Sequence, residues 1–167
     1  CSGGVNGVDL NRNYSYMWAY DNEGSSPDGC NETYRGNAPF SEPESQTVRD
    51  FVQDHDFPIA LNYHSYSNLL IYPLGYEYDN PIPDDDLDIF IEYGQDMVQF
   101  NGYELGSGPD LLYPVNGEAC DWMYGSEGIF AYTPEIGSGQ DGFWPATNRI
   151  IPLAEENLYP NQFLALV

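Results

Sequence analysis

Apolar positions along this chain alternate between two spacings, and the changes of spacing mark its elements. Val48, Phe51 and Val52 recur at helical intervals behind Ser41, Pro43 and Glu44, which predicts a helix over 42–55 opened by a capping box of Ser41 and Glu44. The run Pro58-Ile-Ala-Leu-Asn-Tyr-His64 is almost continuously apolar, as in a strand covered on both faces, and its polar end puts His64 at the strand's C-terminal edge. Leu69–Tyr72 reads as another strand. Asp84, Asp85 and Asp86 suit the start of a helix over 83–102 that carries Leu87, Phe90, Ile91, Met97 and Val98 on one face. Residues 1–40 and 105–120, rich in turn formers, read as loops, and a short helix is predicted over 120–124. A strand over 129–133 leads to Glu135, and a last helix runs from Pro152 through Leu153, Asn157 and Leu158.

Strands alternating with helices predict an α/β sheet with helices on its faces, forming one domain or part of one. In such sheets ligands gather where strand C-termini meet their loops, so the ends of the two apolar strands at His64 and Glu135 are the places to look for chemistry.

Composition sharpens this picture mainly by exclusion. Among the 167 residues, 27 are acidic and four are basic, a net charge of −23, and all four bases are arginine. Phosphate recognition needs clustered Lys and Arg, so nucleic acid and anionic membrane faces are excluded as partners. A strongly negative surface is at ease where salt screens its self-repulsion, which predicts a saline setting. No apolar run reaches the ~18 residues of a membrane span. Of the three cysteines, Cys1 and Cys30 bracket an irregular Gly/Ser/Asn/Asp-rich segment of the kind a disulfide stabilises. A Cys1–Cys30 bridge is therefore expected, and with it a secreted or extracytoplasmic location.

Four segments combine rare residue types with a loop or a strand end: Gly7-Val-Asp-Leu-Asn11-Arg12-Asn13, Tyr34-Arg-Gly36 with Phe40-Ser-Glu-Pro-Glu44, Asn62-Tyr-His64-Ser65-Tyr66, and Tyr132-Thr-Pro-Glu135. In this order, with Tyr113 lying 22 residues before Glu135, they resemble the second half of the catalytic domain of the funnelin zinc carboxypeptidases, the family of carboxypeptidases A, B and T. The resemblance spans roughly residues 7–160 and implies a mixed parallel/antiparallel sheet with helices on both faces, a carboxypeptidase-like but incomplete domain. It also implies Zn2+ as cofactor with His64 as a metal ligand and Glu135 as catalytic general base. Asn11 and Arg12 would bind the terminal carboxylate of a peptide or protein substrate, Tyr113 would close over the bound residue, and Ser65 and Tyr66 would line upstream subsites. Arg35 is assigned to holding a loop.

The chemistry asks for these residue types in its own right. Hydrolysing a peptide bond near neutral pH needs an activated water and a carboxylate to take its proton, a role open to Glu135. Reading a free carboxylate bidentately is a task for a guanidinium, which Arg12 supplies beside the Asn11 amide. Taken singly, each residue has a plainer role: His64 as a hydrogen-bonding strand end, Glu135 as a partner of Arg149, Arg12 as a partner of Asp9.

A catalytic zinc takes three protein ligands and a water, and this chain offers one suitable histidine. The family's other two ligands come from an upstream His-x-x-Glu segment, so the chain is expected to be a fragment whose missing N-terminal half completes the site, and to be inactive alone. The alternative is a non-catalytic module that binds peptide C-termini on a degenerate peptidase scaffold. A sugar-binding domain, suggested by 15 tyrosines and three tryptophans, is the weaker rival because those aromatics fall largely within segments already explained. For the side pocket, Cys120 and Glu118 are the candidates, Cys120 favouring apolar termini and Glu118 receiving Lys or Arg, so a broad or dual preference is expected.

Overall fold

The computed structural model describes residues 7–79 and 81–167. Cys1, one end of the expected disulfide, lies outside them. Four strands form one sheet in the order β1-β4-β2-β3, with β1 at Ile59–Leu61, β2 at Leu69–Tyr72, β3 at Glu104–Ser107 and β4 at Phe130–Glu135. β1 runs parallel to β4 with Leu61 opposite Tyr132, β2 runs antiparallel to β4 with Leu69 opposite Glu135, and β3 is parallel to β2. This is the mixed sheet expected from the sequence.

Side chains alternate across a strand, and β4 shows what that does here. Ala131 faces one core, built with Tyr14, Trp122 and Met123 and with Val52 of helix α1 (Pro43–Gln53). Tyr132 faces the other, with Phe90 and Met97 of helix α2 (Asp84–Val98). Helices thus cover both faces. Phe90 is fully buried, and its ring lies 4.9–6.0 Å from those of Tyr72, Tyr124, Phe130 and Tyr132.

Several boundaries differ from the sequence reading for identifiable reasons. The capping box at Ser41 does not form: Glu42 is the residue before the first turn of α1, and the Ser41 hydroxyl is engaged with Glu42 and Asn13 instead. The loop expected over 105–120 holds β3, the single turn α3 (Gly108–Leu111) and the start of α4 (Ala119–Glu127). Backbone pairing with β2 overrides the Gly- and Pro-rich composition there, and Ser107 caps the turn by accepting from Asp110 N. Strand β4 runs past the expected end at 133 through Pro134, which has no N–H to donate but whose carbonyl accepts from His64 N at 2.9 Å. The last helix is two, α5 (Ile150–Glu156) and α6 (Leu158–Leu164). Pro160 cannot donate to the carbonyl of Glu156 and its ring crowds that turn, so the helix breaks at Asn157.

Candidate active site

Site geometry begins with a short turn. Leu10–Arg12 is a 3-10 helix whose first residue is capped by Asp9, the carboxylate accepting from Asn11 N at 3.0 Å. The next residue, Asn13, is completely buried and donates to the carbonyls of Arg35 and Ala38 while accepting from the Ser45 hydroxyl at 2.7 Å. One amide thereby ties the turn, the 35–41 loop and α1 together. Arg12 is 6% exposed; its Nε donates to Gly24 O at 2.6 Å and a terminal nitrogen donates to Asn11 O at 2.9 Å. Asp9 stands 3.8 Å away, a looser partner than these carbonyls. The Asn11 side-chain oxygen accepts from Ala119 N at the start of α4, and Tyr14 N donates to Gly117 O at 2.9 Å. Gly117 has φ +74°, and a Cβ there would meet Arg12 O at 2.7 Å, so only glycine allows the two loops to lie this close.

His64 follows the end of β1 and Glu135 is the last residue of β4, past the Leu61–Tyr132 pair. His64 N donates to Pro134 O and Ile136 N donates to His64 O at 3.0 Å, which extends the pairing and sets the two side chains next to each other. His64 Nδ1 is 3.5 Å from Glu135 Oε1. The carboxylate's hydrogen bond raises the imidazole pKa against the opposing effect of burial. Arg149, the alternative partner of Glu135, instead pairs with Asp141 at 2.7 Å and Glu156 at 3.6 Å.

Asn11, Arg12, His64, Ser65, Tyr66, Tyr113, Glu118 and Glu135 all line one cavity of about 430 Å3, within the range of small-ligand pockets. They come from four separate stretches of chain. Tyr113 is 53% exposed at this cavity. Cys120 is the exception among the expected pocket residues: it faces the core, 2% exposed, with its thiol donating to Ala131 O at 3.2 Å, because it lies on the buried side of α4. Burial pushes its thiol pKa well up, as suits an inert core cysteine. Arg35 is held by Asp21 O and Asn22 Oδ1 at 2.8 and 3.0 Å and sits over the Trp18 ring, a loop clasp as expected.

Three residues at or next to the cavity were not singled out from sequence. Asp121 is fully buried beside the lining residue Glu118 and accepts from Gly75 N through both carboxylate oxygens, at 2.8 and 2.9 Å. Burial raises the pKa of Asp121 and of its hydrogen-bonded neighbour Glu118, the latter opposed by the charges of Arg12 and His64. Thr133 also reaches the cavity from β4. Phe143 forms part of the wall and packs edge-on against Tyr66 at 4.9 Å. Its only local sign is an aromatic pair set between Gly142 and Pro145.

The loop bearing Phe143 is clasped by Asp141, which accepts from Ser138 N and Oγ and from Arg149. These donors, the arginine foremost, hold the Asp141 carboxyl well below the usual carboxylate range. A folded-state pKa below the unfolded value of about 3.9 stabilises fully above that value and ceases to as pH falls below it. Asp141→Asn is therefore expected to lower the melting temperature at pH 7, the difference from wild type shrinking as pH drops below about 4. Paired thermal melts at pH 7 and pH 3 measure this, and a pH-independent difference would rule out the charge as its source.

As a metal centre, the donor set is partial. His64 fits one imidazole position of a zinc site, Glu135 fits a carboxylate beside it, and among the described residues no group of three or more His, Cys, Asp or Glu is disposed to hold a metal ion. No described helix is long and apolar enough to cross a membrane.

Comparison with known proteins agrees with the geometry. A zinc carboxypeptidase family model matches residues 2–160. Carboxypeptidase B of Astacus astacus is 38% identical over 160 residues, covering 92% of this chain and 52% of that protein, and carboxypeptidase A4 of Mus musculus is 37% identical, covering 90% and 36%. The chain spans about half or less of the length of these relatives. Among solved structures, bovine thrombin-activatable fibrinolysis inhibitor in complex with tick carboxypeptidase inhibitor superposes with a TM-score of 0.86 at 30% identity, over 96% of this chain and 56% of that one. Carboxypeptidase A from Helicoverpa armigera gives 0.83 at 26% identity, over 99% and 43%. A murein-tripeptide amidase from Escherichia coli O157, with a TM-score of 0.57 at 20% identity, shares the fold. From the matched residues and the cavity they build, the chain belongs to the zinc carboxypeptidase family.

Proposed function

We propose that this chain is the second half of one metallocarboxypeptidase catalytic domain, which hydrolyses the C-terminal peptide bond of peptides and proteins. The observation that carries the proposal is convergence: an arginine from position 12, a histidine from 64, a tyrosine from 113 and a glutamate from 135 line a single cavity. Arg12, with Asn11 beside it, grips the terminal carboxylate through a charge-assisted bidentate contact and so selects chain ends. Its hydrogen bonds to Gly24 O and Asn11 O hold the guanidinium in place before substrate arrives. Tyr113, exposed at the rim, closes over the bound residue, while Ser65 and Tyr66 receive the residues upstream of the cleaved bond.

Bound at His64 and at two ligands supplied from upstream of Cys1, zinc would bring the pKa of a water down to about 7. Glu135 takes the proton of the attacking water on its carboxylate and delivers it to the nitrogen of the departing amino acid, and its closeness to His64 suits that exchange. The same reading carries a secreted, extracytoplasmic setting, and the net charge of −23 suits a saline one.

The carboxylate grip is tested in the complete enzyme with paired substrates that end in a free acid or an amide. Arg12→Met is expected to lower kcat/KM for the free acid by about 30-fold, the equivalent of about 2 kcal/mol for removing one member of a buried charged pair, and to affect the amide far less. Equal losses on both substrates would make Arg12 a structural residue.

A further inference from the structure

We infer that Asn116 is a positioning residue for the recognition of chain ends: it fixes the loop whose carbonyl aims the Arg12 guanidinium. The inference rests on the carboxypeptidase reading above and concerns how that same site holds a terminal carboxylate.

Arg12 takes its direction from one loop. Its Nε donates to Gly24 O at 2.6 Å, shorter than its bond to Asn11 O at 2.9 Å and far shorter than the 3.8 Å to Asp9. A guanidinium is planar, so the bond at Nε sets the plane in which its two terminal nitrogens meet a carboxylate. Where Gly24 O goes, the fork of Arg12 follows. Residues 21–25 belong to no helix or strand, and the position of that carbonyl therefore depends on side-chain bonds.

Asn116 supplies them. It is 1% exposed and spends its whole amide on this loop: Nδ2 donates to Asp21 Oδ1 at 2.7 Å and to Glu23 O at 2.8 Å, and Oδ1 accepts from the Ser25 hydroxyl. These bonds flank Gly24, at 21 and 23 before it and at 25 after it. Arg35 holds the same loop by donating to Asp21 O, to Asn22 Oδ1 and, at 3.1 Å, to Ser25 Oγ. Ser25 links the two clasps, since its buried hydroxyl donates to Asn116 and accepts from Arg35.

The segment that carries Asn116 also bears on Gly24 directly. Gly24 has φ +73°, and a Cβ there would overlap Pro114 O, so only glycine permits this approach. Val115 N donates to Gly75 O at 2.8 Å and fastens the segment, while Tyr113, Val115 and Glu118 of the same stretch line the cavity. Asn116 is thus the side chain that joins the Arg12 grip to the stretch bearing Tyr113. Removing its amide strips a bond from each of Asp21, Glu23 and Ser25 and frees Gly24 O to shift. A displacement of about 1 Å at a positioning group costs up to the order of 10²-fold in rate.

The test is a double-mutant cycle of Arg12→Met and Asn116→Ala in the complete enzyme, on a peptide that ends in a free acid. Asn116→Ala alone is expected to raise KM about 10-fold with kcat nearly unchanged. In the Arg12→Met background the same substitution should change KM by less than about twofold, because Asn116 acts through Arg12. Phe90→Ala, a change distant from the cavity, controls for stability and should leave KM at the wild-type value. Equal effects of Asn116→Ala in the two backgrounds overturn the inference and leave the Arg12 grip standing. A wild-type KM in Asn116→Ala, or a matching rise in Phe90→Ala, also overturns it. If Arg12→Met itself leaves KM unchanged, the grip reading fails and takes the inference with it. Should Asn116→Ala not fold, Asp21→Ala at an exposed position removes one of the same bonds; it is expected to raise KM about threefold, and the same cycle with Arg12→Met decides.

Discussion

Glu135→Gln in the complete enzyme is expected to lower kcat by about 10²- to 10⁴-fold while peptide binding is retained. Glutamine keeps the shape of the side chain and can still hydrogen-bond beside His64, but it has no carboxylate to accept a proton at neutral pH. The substitution therefore removes one function with little change in volume. Single-turnover rates and calorimetric binding of a slowly cleaved peptide separate the two effects. Retained turnover would take Glu135 out of the role of general base. Loss of binding together with turnover would instead mean that the carboxylate holds the 64–68 and 135–137 segments together, where Ser67 N and Asn68 N already donate to Gly137 O.

Phe90→Ala is expected to cost about 3–5 kcal/mol of stability, the usual range for deleting a fully buried phenylalanine. Phe90 is 0% exposed, has four aromatic neighbours and packs from α2 onto the sheet and α4; its carbonyl also accepts from the Tyr132 hydroxyl at 3.0 Å. The surrounding rings are rigid and come from different elements, so they cannot close into the space left behind. Urea unfolding of wild type and variant measures the loss, and a value below about 1.5 kcal/mol would show that this layer collapses readily onto the cavity. A defect here should reach the site only through stability, since Phe90 is absent from the cavity wall.

How much of the molecule is legible from its sequence follows from what each signal measures. β2 and the start of α2 could be located because their patterns are local: a four-residue apolar run, and three acids facing the positive end of a helix. β3 was hidden because Gly106 and Gly108 look like loop residues, whereas the strand exists through backbone bonds to β2, residues that lie far off in sequence. The break at Asn157 had a visible cause in Pro160, but helical spacing of apolar residues continues across it and masks the interruption.

The candidate site divides in the same way. Four ordered motifs and the family resemblance they carry pointed to Arg12, His64, Tyr113 and Glu135, and residue chemistry by itself supported Arg12 for reading a carboxylate and Glu135 for taking a proton. The buried acid pair of Glu118 and Asp121, and the turning of Cys120 away from the cavity, depended on the rotation of α4, and a rotation of one helical position exchanges a pocket residue for a core residue. Phe143 joined the wall because Asp141 and Arg149 clasp its loop, a contact between residues with no shared pattern.

By itself, then, the sequence determined the chemistry on offer, the family that uses it and most of the regular elements, since these reside in residue type and in spacing over a few positions. Tertiary structure alone decided which of those groups face one another. Backbone pairing of β1 with β4 sets His64 beside Glu135, and the buried amide of Asn13 fastens the turn that carries Arg12. Cavity walls are made by contacts between distant segments, and their free energy depends on packing and desolvation that no single stretch of chain encodes.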